Sequence, residues 1–122
     1  MRIFKNTWFA RFASKEGISD NELKEIVENV LETRQAEVNL GGGVYKVRLA
    51  RPGEGKSGGY RVIVFFLTRE RTFYRYCFAK SEQDNINRDE LKIMKKLAKE
   101  FFRQSDKQIN KQIINGTLLE II

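Results

Sequence analysis

The chain has no histidine among its 122 residues. Its absence removes the commonest metal ligand and the side chain that ordinarily titrates near neutral pH. Ser/His and Cys/His nucleophilic pairs and His-ligated zinc are thereby excluded, and any catalysis runs mainly on Lys, Arg, Tyr, Asp or Glu. Cysteine occurs once, so no intramolecular disulfide forms. Cys77 lies between Tyr76 and Phe78 in an expected strand and reads as a buried, inert thiol, not a nucleophile. No window approaches the roughly 20 apolar residues needed to span a bilayer. Residues 1–15 carry no apolar run of the kind a secretory signal or anchor has. A cytoplasmic protein is expected.

What remains is a globular composition, 41% apolar with fourteen aromatic residues, of a length that fits one domain over 1–122. The charge is uneven. From Lys46 to Lys80 nine cations face only Glu54 and Glu70, a surplus equal to the +7 of the whole chain; elsewhere the two signs balance. Such a segment projects a directed positive field, and the partner it suits is a polyanion.

Periodicity organises the rest. Residues 1–6 read as a short strand, and Thr7 to Glu16 as a helix with Trp8, Phe9, Phe12 and Ala13 on one side and Gly17 as its cap. Ser19 with Glu22 forms a capping box before Leu23, Ile26, Val27, Val30 and Leu31 at helical spacing. After Gly41 to Gly43 the period becomes alternating, with Tyr45, Val47 and Leu49 on one face and Val44, Lys46 and Arg48 on the other. Val62 to Leu67 is apolar on both faces, as in a central strand, and Thr68 to Arg71 turns the chain into Thr72 to Ala79. A two-residue turn at Arg69 and Glu70 pairs Thr68 with Arg71. That register sets Arg61 opposite Phe78 with Lys80 diagonal on the same face, beside Lys46 and Arg48. Asn87 with Glu90 begins a helix whose core stripe is Leu91, Met94, Leu97, Ala98, Phe101 and Phe102. A short helix from Ser105 or Asp106 and an apolar tail, Leu118 to Ile122, suited to an edge strand, complete the chain.

Ala50 to Ser57 satisfies a relaxed nucleotide-binding P-loop pattern. A P-loop must run into a helix N-terminus, whereas here Gly58, Gly59 and Tyr60 lead into a strand, so nucleotide binding is rejected. The glycines instead suit a turn that lets Lys56 and the backbone approach a phosphate closely. Tyr60, Phe73, Tyr74, Tyr76 and Phe78 interleave with the cations. Most are expected in the core, with Tyr60, at the mouth of its strand, the exception that would meet an unpaired base. Arg69, Arg71 and Arg75 are read as ordinary solvated charges.

From Tyr45 to Lys80 the chain resembles the RelE/HigB superfamily of toxins from bacterial toxin–antitoxin systems. The resemblance rests on the strand Tyr45-Lys46-Val47-Arg48-Leu49, the turn ending Ser57-Gly58-Gly59-Tyr60-Arg61, and the segment Phe78-Ala79-Lys80-Ser81-Glu82. The flanking helices extend it over nearly the whole chain. It implies an α+β fold, an antiparallel sheet of three to five strands packed against N- and C-terminal helices, and a ribosome-dependent mRNA endonuclease. Lys46, Arg48 and Arg61 match basic residues that serve the reaction in RelE-like toxins. The chain departs from the pattern at Ser81, where the best-known members carry Arg, and near Asn87, where they carry a catalytic Tyr.

RNA cleavage without metal or histidine is most simply an attack by the 2′-hydroxyl on its adjacent phosphate. It needs a base, a stabiliser of the phosphorane charge and an acid for the leaving 5′-oxygen. Lys46 is the expected base. Arg48 and Arg61 beside it favour its neutral form, Arg61 and Arg51 stabilise charge, and Tyr60 or Lys80 supplies the acid. Lys56, Ser57 and Ser81 contact RNA. No cofactor or metal is implied. The partners are mRNA on the ribosome and a cognate antitoxin, with no membrane; the oligomeric state stays open, a monomer being one option for the free chain. The alternatives are a non-catalytic RNA- or ribosome-binding module on the same sheet, whose RNA binding would weaken with salt by about 0.7 log units per phosphate contacted, and a protein-interaction domain, which would show no such slope with RNA.

Overall fold

The computed structural model describes residues 1–35, 37–50, 59–81 and 85–122. Strand β1 (Arg2–Asn6) ends where the Asn6 side chain accepts the Phe9 N–H at 2.7 Å and so caps α1 (Thr7–Glu16). Gly17, at φ 73°, closes that helix with a bond from its N–H to Ala13 O, in a left-handed conformation that costs glycine little. Ser19 and Glu22 then make both bonds of the expected capping box, and α2 (Asp20–Ile26) begins. The helix runs on to Leu31 as expected, but through one widened π turn, Val27–Leu31, that still buries Val27 and Leu31.

Five strands and two helices follow: β2 (Glu37–Gly41), β3 (Val44–Leu49), β4 (Tyr60–Leu67), β5 (Arg71–Ala79), α3 (Arg88–Arg103), α4 (Asp106–Ile114) and β6 (Leu118–Ile121). They form one sheet in the order β2-β3-β4-β5-β1-β6, antiparallel throughout except for the parallel pair β1–β5. The α+β class is as expected. The sheet has six strands where three to five were expected, because β2 is an edge strand whose only apolar side chains are Val38, 48% exposed, and Leu40. So short and wet a segment leaves almost no alternation to read.

One face of the sheet packs Val47, Tyr60, Val62, Val64, Phe66 and Tyr74 against Phe9, Leu23, Val27 and Leu31 of the N-terminal helices. The other packs Phe4, Val44, Ile63, Phe65 and Phe78 against Ala98, Phe101 and Ile109 of α3 and α4. Strand β4 is buried from Tyr60 to Phe66, as a central strand apolar on both faces must be. Capping boxes at Asn87/Glu90 and Ser105/Gln108 start α3 and α4. Between β2 and β3, Gly43 sits at φ 83°, and a Cβ there would lie 2.5 Å from a ring carbon of Phe102, so this hairpin can seat on α3 only without a side chain.

Of the three arginines read as solvated, Arg69 is so, Arg75 is half-buried, and Arg71 is tied into the fold. Arg71 donates to the carbonyls of Phe101 (3.1 Å) and Gln104 (2.7 Å) and pairs with Asp106 at 3.0 Å, tying the end of α3 to the start of α4. Its charge complements the carbonyl end of α3, and its side chain is only 12% exposed. Arg69 is exposed, in the left-handed region at φ 65°.

Candidate nucleic-acid interface

The β4–β5 register decides which cations meet. The turn takes three residues, Thr68 to Glu70, and pairs Leu67 with Arg71, one step away from the expected Thr68–Arg71 pair. Between Ile63 and Val64 the register then shifts by one, with Arg75 as the extra residue on β5, and beyond the shift Arg61 stands opposite Phe78 as expected. The longer turn and the bulge cancel. Without the bulge every side chain of the upper half of β5 would face the wrong layer.

On β3, Arg48 pairs directly with Arg61, so Arg48, Arg61 and Phe78 form one row across three strands. The adjacent row on the same face is Val38, Lys46, Ile63 and Tyr76. Lys46 is half-buried and Arg48 exposed, while Arg61 is only 5% exposed. Among the described residues the Arg61 guanidinium makes one hydrogen bond, to Tyr60 O at 3.2 Å, and neither it, Lys46 nor Arg48 has an ion-pair partner. Like charges directly opposite on neighbouring strands repel, and a guanidinium has five donors to satisfy. A buried arginine with one backbone bond among the described residues therefore faces a second arginine across the ladder.

The Lys80 N–H bonds Gly59 O at 3.1 Å, which continues the β4–β5 ladder one step and carries exposed Lys80 to the Arg61 end of the sheet; Ser81 follows it, also exposed. Tyr60 is not in the cluster. It is 1% exposed on the other face, its ring edge-on to Phe12 at 5.6 Å, because the residue next to Arg61 in a strand must point the opposite way. Arg51, Lys56 and Ser57, with the rest of the loop, lie outside the described residues. On the described side, β4 follows the loop directly, and the strand that argued against a P-loop is present. Asn87 serves as the N-cap of α3, accepting the Glu90 N–H at 2.8 Å. Cys77 is buried in the layer opposite the cations, and burial, with a smaller push from Glu16, drives its thiol up to about 12.

Trp8, expected on the core side of α1, is 42% exposed. Strand β1 covers β5 only as far as Tyr74, so at the uncovered stretch beyond it Trp8 meets Tyr76 at 4.8 Å and stacks on Phe12 at 5.3 Å. Its partner across the bulge cannot be read from the spacing of α1 alone. Among the described residues no three carboxylate or cysteine groups converge on a point that could hold a metal ion. No helix there is long and apolar enough to cross a membrane.

A mixed sheet between two helical layers, with a cationic row at one end of its central strands, defines a small α+β protein. A family model described as the RelE toxin of the RelE / RelB toxin-antitoxin system matches residues 1–121, and the chain belongs to that family. It is the toxin of such a system, and membership carries with it an antitoxin partner.

Proposed function

We propose that the chain, as a single toxin domain over 1–122, is a metal-independent endoribonuclease that cuts mRNA on the ribosome and so arrests translation in the cytoplasm. The observation that carries this reading is the Arg48–Arg61 pair, opposed on adjacent strands beside Lys46 with no carboxylate to neutralise it among the described residues. A phosphodiester supplies the missing charge.

In the proposed step Lys46 takes the proton of the 2′-hydroxyl as its oxygen bonds to the adjacent phosphorus. Arg61 and Arg48 hold the charge that develops on the non-bridging oxygens, with Arg51 as a further stabiliser. The bond from phosphorus to the 5′-oxygen breaks, and Lys80 gives that oxygen a proton, leaving a 2′,3′-cyclic phosphate and a 5′-hydroxyl. Lys80 is preferred to Tyr60 as the acid because Tyr60 lies in the other layer. Lys56, Ser57 and Ser81 contact the RNA backbone.

The capping role of Asn87, which occupies the region of the family's catalytic tyrosine, favours the second reading: a module that binds RNA or the ribosome without cutting. Product analysis separates the two. Lys46→Ala and Arg61→Ala are each expected to lower message cleavage by at least about 10²-fold, the scale of a lost general base or oxyanion donor. Undiminished cleavage and growth arrest in both variants would remove the proposed site.

A further inference from the structure

The exposed side of α3 carries Lys92, Lys95, Lys96 and Lys99, at i, i+3, i+4 and i+7, which one face of a helix brings into line. Among the described residues none of the four has an ion-pair partner. The cations that hold the fold together behave differently: Arg2 pairs with Glu120 and Asp106, Lys5 with Asp20, and Arg71 with Asp106. Helix α3 carries Arg88, the four lysines and Arg103 against Asp89, Glu90 and Glu100, so it keeps a net positive charge, while Glu22, Glu25 and Glu28 are exposed in the other layer on the N-terminal helices.

The lysine face is joined to the cationic row. Helix α3 packs on the sheet face that holds Lys46, Arg48 and Arg61. Lys95 lies over the β2–β3 turn, where a Cβ on Gly42 would come within 3.2 Å of its Cγ. That turn leads directly into the strand bearing Lys46.

We propose that this face of α3 is a second RNA contact, which seats the protein on the phosphate backbone of ribosomal RNA and leaves the message to the sheet. The inference rests on the ribosome being the place of action. A helix rises about 1.5 Å per residue, so the stripe from Lys92 to Lys99 spans about 10 Å of rigid, regularly spaced charge. Four ammonium groups are compact charges without the planar fork or aromatic anchors that mark a protein-binding hot spot, and Ile93 alone among their neighbours on α3 is an exposed large apolar residue. Such a surface recognises a row of phosphates without reading sequence.

The test is sedimentation of the full chain with purified ribosomes over a range of salt, comparing the parent with Lys92→Gln/Lys96→Gln/Lys99→Gln. Lys95 is kept because its stem covers the glycine turn. At about 0.7 log units per phosphate contact, the three changes should make the salt slope shallower by about 2 and weaken binding at physiological salt by about tenfold or more. Single Lys96→Gln and Lys99→Gln chains, each expected to lose about 0.7 of slope, read the same quantity if the triple variant does not fold. An unchanged slope overturns the proposal, as does weakened antitoxin binding with ribosome binding intact, which would assign the face to a protein. Cleavage of a translated message, measured in parallel on the parent chain, separates the two readings. A parent that never cuts but shows the lysine-dependent slope would defeat the nuclease reading and leave this one standing.

Discussion

Arg61 and Arg71 are residues of the same type at opposite ends of the β4–β5 hairpin, and the fold uses them in opposite ways. Arg71 has three acceptors and closes the junction of α3 and α4. Its removal takes a donor from two helix-end carbonyls and leaves Phe101 O only the Gln104 N–H, so Arg71→Ala should cost about 2–3 kcal/mol in urea unfolding, the scale of hydrogen bonds to a charged group. Arg61 is more deeply buried yet has a single backbone acceptor among the described residues and a like charge across from it. Replacing such a charge with an apolar chain of similar length relieves repulsion and desolvation. Arg61→Met should therefore unfold at equal or higher urea, by up to about 1–2 kcal/mol, while losing cleavage. A large loss of stability would mean that Arg61 is a structural residue like Arg71. The pH dependence also follows from single residues. Burial raises the Cys77 thiol to about 12, and burial raises the Tyr74 phenol as well. Groups whose pKa is higher in the folded state give stability that is full below their unfolded values and declines as pH rises above them. Stability should thus fall above about pH 8.5, where an unfolded thiol ionises, and Cys77→Ala should flatten the first part of that fall. The hydrogen bond from Arg2 lowers Glu120, which works at the other end: its contribution is present above the unfolded carboxyl value and is lost as pH falls.

At the scale of the element, the glycine turn between β2 and β3 is where backbone conformation and packing coincide. Gly43→Ala meets a positive φ and a ring carbon of Phe102 at 2.5 Å, so it should cost about 2–4 kcal/mol, measurable as a lower unfolding midpoint. Helices were legible in the sequence because their ends are written in single side chains. Asn6 apart, each N-cap in the structure is a Ser or Asn followed three residues later by Glu or Gln that closes the box. Strands were legible where burial imposes a pattern, as in β3 and β4, and not at the wet edge strand β2. The hairpin of β4 and β5 shows the limit most clearly. Turn length and bulge position depend on how Arg75 and Tyr76 fit the neighbouring strand and α1, which no local spacing encodes, so the expected register of Arg61 was reached with a turn one residue too short. The candidate site was legible in part for the same reason. Alternation placed Lys46, Arg48 and Arg61 on one face, but it also sends Tyr60 to the other, and the lysine face of α3 was hidden by a count in which carboxylates elsewhere in the chain, and on α3 itself, offset it.

For the molecule as a whole, the decisive feature is separation of charge between layers. Exposed carboxylates gather on the outer side of the N-terminal helices, while cations outnumber carboxylates on α3 and collect at one end of β3 and β4. A polyanion approaching this field is turned towards the sheet, with an on-rate that falls as salt is added. An antitoxin that covered the same region would have to present carboxylates or apolar side chains there, and its complex should no longer bind RNA. The most direct measurement adds the purified chain to ribosomes translating a defined message and maps every new RNA end. New 5′-hydroxyl ends, paired with 2′,3′-cyclic phosphates, should appear on the translated message, be absent from the same RNA without ribosomes, and vanish with Lys46→Ala. No new ends under active translation, or ends that persist undiminished in both Lys46→Ala and Arg61→Ala, would contradict the assignment of the cationic row to cleavage.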